Sequence, residues 1–345
     1  MKVFIYILIL LMSVSGCSEG NSLNEIVYTN IEKDYRMKQI RHNVQEEIYT
    51  VALVPRLTGN SYFDAAEEGA QEAAEKLGVN LIITGSSVAD YKEQQKVIEK
   101  LILKKVDAIA IAANDPFKLL PILNKARDQG IKVITWDSDT DPTGRDFFVN
   151  AVDPETLGKH LMDNLAASLN EKGEYAILTN YLSTSSSTEW IRWMKIQQKN
   201  FYPDMKLVRI MTSYDNYDLG FKNVQYLLEN YPNLSGVVGI SPGTSPAVAQ
   251  AIIEAKRRDV KIVGLSPPNS MKEYIHGGVV ENITLWSPKK LGYLTVALAK
   301  NMLDGQFPVH QQEIPDVGSI KVKDNIVIMG EPIIFTKENI DQYDF

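Results

Sequence analysis

From Tyr49 onward, short apolar runs alternate with amphipathic segments at about 30-residue intervals, and this rhythm constrains the fold more than any other feature. YTVALVP (49–55) reads as a strand closed by Pro55. In SYFDAAEEGAQEAAEKLG (61–78), Ala66, Gly69, Ala70, Ala73, Ala74 and Leu77 fall at helical spacing, and Gly78 supplies the stop. VNLIIT (79–84), DAIAIAA (107–113) and IKVITWD (131–137) read as three further strands. YKEQQKVIEKLIL (91–103) places Val97, Ile98, Leu101 and Ile102 on one helical face. FKLLPILNKARDQG (117–130) is helical, with Pro121 in its first turn or at a kink. Strands this continuously apolar belong to a parallel sheet covered by helices on both faces.

The pattern then repeats. ETLGKHLMDNLAASL, TEWIRWMKIQQKNF, DLGFKNVQYLLENY and SPAVAQAIIEAKRR read as helices; EYAILTN, KLVRIMT, SGVVGIS and VKIVGLS read as the strands between them. A short helix after Pro268, the strand VVENITLW and the helix PKKLGYLTVALAKNMLDG complete the regular part. Residues 305–332 read as irregular, with a hairpin in IKVKDNIVIM turning at Asp324-Asn325, and IIFTKENIDQYDF ends the chain. The expectation is an α/β fold of two similar lobes, each a doubly wound parallel sheet.

Composition narrows the function. The 345 residues are 44% hydrophobic and carry a net charge of −7, without the basic stripe of a dedicated nucleic-acid binder. The N-terminus has one Lys and an apolar run from Val3 to Met12, too short to span a bilayer, which needs about 20 residues. It fits an export signal. Val14-Ser15-Gly16-Cys17 resembles a bacterial lipobox, which implies lipidation of Cys17 after cleavage and an exported, lipid-anchored chain in the periplasm or on the outer face of the cell membrane. Cys17 is the sole cysteine, which leaves no intramolecular disulfide and no Cys-based metal site. The polar stretch 18–48 reads as a tether.

In open parallel sheets ligands bind at the carboxyl ends of strands. The residues there are Arg56, Asn60, Tyr62 and Phe63; then Asp137, Ser138 and Asp139; then Ser183 to Ser187 with Trp190; then Tyr214 and Asp215; then Ser241 to Ser245; then Ser266 and Trp286. The set is rich in hydroxyls and aromatics and holds few charges, which suits a neutral polyol or sugar. Asp137 and Asp139 could instead bind a hard cation, but further acids and a calcium-loop glycine are missing. Tyr62, Phe63 and Trp286 could equally be core, the serine run a flexible loop, and Asp139 a turn residue. His42, His160, His276 and His310 show no metal-ligand spacing, and no phosphate-binding glycine loop or GxSxG elbow is present. No metal and no cofactor are expected.

Asn60-Ser61-Tyr62-Phe63 at the first strand–helix turn, together with the two α/β halves, resembles the type I periplasmic sugar-binding proteins of ABC importers, the ribose-binding group. TWDSDT (135–140), VGLSPPNSM (263–271), Leu285-Trp286 and NIDQYDF (339–345) are most similar to the subgroup that binds autoinducer-2 or rhamnose. The resemblance implies lobes of 49–151 plus 287–325 and 152–286 plus 326–345. A three-strand hinge joins them, with crossovers near 151–153, 285–287 and 325–332. It implies an Asn60 hydrogen bond, rings of Tyr62 and Phe63 on the sugar, and Asp137 on sugar hydroxyls. Arg56, Ser138, Ser186, Ser187, Pro242, Ser266 and Trp286 complete the expected ligand set.

Three departures separate the chain from autoinducer-2 receptors: Arg56 replaces a Lys, Ser186-Ser187 an Asp-Gln pair, and Ile240 and Pro242 a Pro and an Ala. Buried partners left unsatisfied cost roughly 1–3 kcal/mol each, so a rhamnose-type deoxyhexose is favoured over autoinducer-2. The implied role is a monomeric solute-binding lipoprotein that delivers a small carbohydrate to a membrane permease. The alternatives are an autoinducer-2 receptor and a sensor that docks on a chemoreceptor or sensor kinase. A glycosidase built on Asp137 with Asp215 or Asp139 is a further alternative from another class; the expectation is that the chain is not an enzyme.

Overall fold

Residues 48–345, apart from Pro242, are described by a computed structural model. The readings for Cys17, the signal 1–17, most of the tether and Pro242 lie outside the described residues. The first half contains β1 (Thr50–Val54), α1 (Ser61–Leu77), β2 (Asn80–Ile83), α2 (Tyr91–Lys104), β3 (Ala108–Ile111), α3 (Leu120–Asp128), β4 (Lys132–Trp136) and β5 (Phe147–Val152). The second contains α4 (Pro154–Leu169), β6 (Gly173–Thr179), α5 (Ser185–Phe201), β7 (Met205–Thr212), α6 (Tyr217–Asn230), β8 (Leu234–Gly239), α7 (Thr244–Glu254), β9 (Lys261–Gly264), α8 (Lys272–His276) and β10 (Ile283–Leu285). Then follow α9 (Pro288–Leu303), the short pair β11 (Glu313–Ile314) and β12 (Gly318–Ser319), the hairpin β13 (Lys321–Lys323) and β14 (Ile326–Gly330), and β15 (Ile333–Phe335).

Seven strands form the first sheet in the order β13-β14-β5-β4-β3-β1-β2, and four form the second in the order β7-β6-β8-β9. All ladders of these two sheets are parallel except that of β13 on β14. Residues of β1 divide by period two: Val51 and Leu53 join one apolar cluster, Ala52 and Val54 the other. This explains the unbroken apolar runs, since helices cover both faces. Pro121 sits in the first turn of α3, where its missing N–H costs nothing. β10 pairs antiparallel with β15 and touches the end of β9 through a bridge between Leu265 and Thr284.

Two expectations need correction. β5 is a full strand that the 30-residue rhythm does not reveal, because only ten residues and a single 3-10 turn, Pro142–Gly144, separate it from β4. Without an intervening helix the periodicity gives no cue. Residues 326–330, expected in the second lobe, instead form β14, parallel to β5 with Ile326 opposite Phe148. The hairpin does turn at Asp324 and Asn325, whose φ values of 51° and 58° match a two-residue type I′ turn. That turn folds the chain back into the first sheet, so the return to the second half comes only after Gly330. The chain thus passes between its two halves three times: after Val152, after Trp286 and after Gly330.

Helices α1 and α9 touch backbone to backbone. A Cβ added at Gly69 would lie 1.8 Å from the Lys289 carbonyl oxygen, and one at Gly292 would lie 1.8 Å from that of Ala66. The contact is reciprocal, and neither helix can shift locally without parting from the sheet beneath it. Gly292→Ala is therefore expected to lower stability by about 1–3 kcal/mol despite the better helix propensity of Ala. A drop in the midpoint of thermal unfolding measures this; an unchanged or raised midpoint would refute the close-contact account.

Candidate ligand-binding site

Both sheets reverse strand order where the site lies. In the first the reversal falls between β1 and β3, in the second between β6 and β8, and such switch points open a crevice at the strand ends. Arg56 follows β1 and Asn114 follows β3. Arg56 Nε donates to Asn114 Oδ1 at 3.4 Å, and Asn114 Nδ2 donates to the Arg56 carbonyl at 2.9 Å. The buried Gln94 ties the same two strand ends, donating to the carbonyls of Pro55 and Ala112 and accepting from the Asn114 amide. Asn60 caps α1, its Oδ1 accepting from the Tyr62 amide at 3.0 Å. Asn180 follows β6 and Ile240 follows β8 on the facing side.

A cavity lies between these ends, lined by residues that follow the strands of both sheets. Arg56, Asn60, Tyr62, Phe63, Asp137, Ser138, Ser186, Ser187 and Trp286, all expected from sequence, line it together. Ser266 does not: it is fully buried, and its amide donates to the Thr284 carbonyl at 3.3 Å. Ser138 reaches the cavity wall, but its hydroxyl donates to the Ala113 carbonyl at 2.8 Å and so has a structural partner. Asn180, Thr184, Trp190, Asp215, Ile240, Leu265 and Leu285 complete the lining. The strand-end rule points to Asn180 and Leu265 as readily as to Arg56, but in sequence they look like the ordinary polar and apolar ends of their strands. Asp215 and Trp190 stand out in the sequence only as strand-end residues.

Polar groups bridge the cleft. Arg56 Nη2 lies 3.5 Å from Asp215 Oδ2, both side chains being nearly buried, and Asn180 Nδ2 donates to the same oxygen at 3.4 Å. The Arg56 guanidinium also stands 5.0 Å from the centre of the Tyr181 ring. Ser186 Oγ donates to the Asp137 carbonyl at 2.8 Å, and the Asp139 amide donates to Ser185 Oγ at 2.9 Å. Ser187 Oγ donates to Asn180 Oδ1 at 2.9 Å. The serine run is therefore the N-terminal turn of α5, pressed against the end of β4.

The two acids after β4 part company. Asp139 accepts two bonds of 2.7 Å from Arg145 and one of 2.5 Å from Thr135 Oγ1, so it anchors the loop. Asp137 has φ of 60°, a left-handed conformation that Asp tolerates, and this turns its carboxylate into the cavity. Tyr62 Oη donates to its Oδ1 at 2.6 Å, and Trp286 Nε1 donates to Tyr62 Oη at 2.8 Å. Rings pack edge-on along this line, Tyr62 against Phe63 and Trp286, and Phe63 against Trp136. Burial pushes the Asp137 carboxyl above the usual range; the Tyr62 hydrogen bond and Arg56 pull it down and Asp215 pushes it up. Burial first, then the neighbouring carboxylate, lifts the Tyr62 phenol well above its ordinary value. Both groups at the end of β4 thus have defined partners, and of the two only Asp137 lines the cavity between the strand ends.

Among the described residues no His, Cys, Asp and Glu side chains group to hold a metal ion, and no helix is long and apolar enough to cross a membrane.

The site and fold are those of a solute-binding protein, and the chain belongs to the periplasmic binding protein family: the family's periplasmic binding protein domain matches residues 51–307. The chain is similar to a D-ribose/D-allose-binding protein of Pseudomonas aeruginosa, 23% identical over 271 residues that cover 76% of this chain and 85% of the relative. Among solved structures it is similar to an ABC transporter solute-binding protein from Clostridium phytofermentas with bound L-rhamnose. That match has a TM-score of 0.81, 27% identity, and covers 86% of this chain and 98% of the other. It is also similar to LsrB from Clostridium saccharobutylicum in complex with AI-2, with a TM-score of 0.80, 27% identity, and coverage of 86% and 100%. Family members are exported sugar-binding transport proteins that work with membrane permeases.

The raised Asp137 pKa has a stability consequence. A carboxyl that holds its proton more tightly when folded contributes full stability below the unfolded Asp value of about 3.9, and that contribution is lost as pH rises through the folded value. Ligand-free protein at neutral pH therefore carries the cost of a buried carboxylate. Asp137→Asn, which keeps the left-handed backbone accessible, is expected to raise the ligand-free unfolding midpoint at pH 7 and to lose that advantage near pH 4. A midpoint below wild type at pH 7 would show that the carboxylate stabilises the fold.

Proposed function

We propose that the chain is the solute-binding lipoprotein of an ABC importer. It captures a neutral, methyl-bearing sugar of the L-rhamnose type between its lobes and presents the closed form to a membrane permease. The observation that carries this reading is the cavity itself, where hydrogen-bonding groups from both lobes converge around an apolar wall. Arg56, Asn60 and Asp137 come from one side, Asn180 and Asp215 from the other, so a ligand that bonds both holds the lobes together. Ile240, Leu265 and Leu285 offer an aliphatic surface that suits a 6-methyl group better than a hydroxymethyl. Two carboxylates stand against one guanidinium, which disfavours sugar phosphates and uronic acids. Asp215 is paired with Arg56 at 3.5 Å and Asp137 accepts from Tyr62, which supports binding over hydrolysis.

The likeness to the AI-2 complex makes autoinducer-2 the second candidate. Ser186 and Ser187 already donate to the Asp137 carbonyl and to Asn180 Oδ1, which leaves them only as neutral acceptors where the Asp-Gln pair would stand, and this favours the sugar. Thermal unfolding of the full chain in detergent, followed by tryptophan fluorescence, separates the two. L-rhamnose at about a hundred times its Kd is expected to add roughly 2.7 kcal/mol, a shift of several degrees, while rhamnose 1-phosphate and galacturonate add nothing. A shift with autoinducer-2 and none with any neutral sugar would overturn the sugar reading.

Lipid anchoring through Cys17 makes a separate prediction. Cys17→Ser is expected to move the protein from the membrane fraction to the soluble fraction without changing ligand-induced stabilisation. Continued membrane retention of that variant would point to an uncleaved signal instead.

A further inference from the structure

Tyr62 belongs to the turn whose family resemblance predicts a ring stacked on the sugar. Its surroundings describe something else. The side chain is 3% exposed, and its ring meets Phe63 and Trp286 edge-on. Its hydroxyl lies 2.6 Å from Asp137 Oδ1 and 2.8 Å from Trp286 Nε1. An indole N–H can only donate. It therefore gives its hydrogen to the phenol oxygen, and the phenol hydrogen is left to point at the carboxylate. The chain of bonds has one direction, Trp286 to Tyr62 to Asp137, and its last member must be an acceptor.

We propose that Tyr62 is a positioning residue that holds Asp137 as an oriented, ionised acceptor for the ligand, and that Trp286 sets the direction of the Tyr62 hydroxyl. This rests on the reading of Asp137 as the principal ligand acceptor. Oδ1 is engaged by Tyr62, so the ligand's hydroxyls meet the remaining lone pairs and Oδ2. Trp286 directly follows β10 at one of the three passages between lobes, and Tyr62 opens α1. The carboxylate is thereby tied to the hinge as well as to the end of β4. The other charged or titratable groups facing Asp137 are Arg56 after β1, which favours its charge, and Asp215 after β7, which opposes it. With the phenol removed, burial and Asp215 act against Arg56 alone, and the carboxyl takes up a proton more readily.

The test compares Tyr62→Phe, Tyr62→Leu and Trp286→Phe with wild type in the full chain. The first readout is the Asp137 side-chain carboxyl resonance, followed by carbon-13 NMR against pH without ligand. Tyr62→Phe is expected to move its titration to higher pH, and Trp286→Phe to move it less in the same direction. The second readout is L-rhamnose affinity against pH. Tyr62→Phe is expected to bind about 10- to 100-fold more weakly at pH 7 and to lose binding at a higher pH than wild type. Tyr62→Leu should share that profile. A ring that stacks on the sugar predicts the opposite order, with Phe binding like Tyr and only Leu failing. An unmoved Asp137 titration in Tyr62→Phe overturns the proposal whatever the ligand proves to be. Failure of wild type to bind L-rhamnose would defeat the sugar reading instead, while the titration still decides the role of Tyr62.

Discussion

The backbone contact between α1 and α9 is the constraint on which the rest of the structure leans. Gly69 and Gly292 let two helices of the same lobe meet with no side chain between them. One helix begins beside Tyr62, the other two residues after Trp286. Their separation sets how far the Tyr62 hydroxyl stands from the indole nitrogen. A few tenths of an ångström at the crossing are carried to the N-terminal ends of both helices, where a 2.8 Å hydrogen bond leaves little slack. In the second lobe Gly158 makes a comparable approach of α4 to α5 beside the Trp190 carbonyl, and Trp190 in turn lies 5.9 Å from Trp286.

The site buries three charges within a small space, an arrangement that works against stability. Arg56 alone offsets two carboxylates, and its contacts to Asp215 and Asn114 are long, at 3.5 and 3.4 Å. Long bonds to a nearly buried guanidinium leave donor capacity for a ligand hydroxyl. Asp137 is likewise only partly satisfied. Such a cavity is underfilled in hydrogen bonds, which under the proposed function an entering polyol would supply. Ile240, Leu265 and Leu285 supply the apolar part of its wall.

Much of the fold is legible in the sequence because its cause is local. Alternating apolar runs and amphipathic helices mark parallel sheets, and a two-residue Asp-Asn turn marks a hairpin. The features that escape a sequence reading are those without a local cue. β5 follows β4 without a helix, and β14 returns to the first sheet by pairing with a strand about 180 residues earlier in the chain. In the site, Asp137 is separable from Asp139 by position at a strand end, but the partners that distinguish them are not. Arg145 claims Asp139 from six residues away; Tyr62 reaches Asp137 from 75 residues before it, and Trp286 reaches Tyr62 from 224 residues further on. Asn180 and Asn114 carry no signal of their own, because an Asn closing an apolar strand looks like an ordinary turn residue.

By itself the sequence determined the class of architecture, and it points to the carboxyl ends of the strands, where the cavity lies, and to the kind of groups that line that cavity. These follow from periodicity and chain direction, which are properties of neighbouring residues. Only the tertiary structure decided which groups face the cavity and which serve the scaffold. Ser266 is buried away from the cavity lining, Ser138 is spent on a carbonyl, and Tyr62 meets a carboxylate rather than presenting an open ring face. Those assignments depend on distances of 2.6 to 3.5 Å between residues far apart in the chain. Distances of that kind are set by helix crossings and sheet order, which no short stretch of sequence contains.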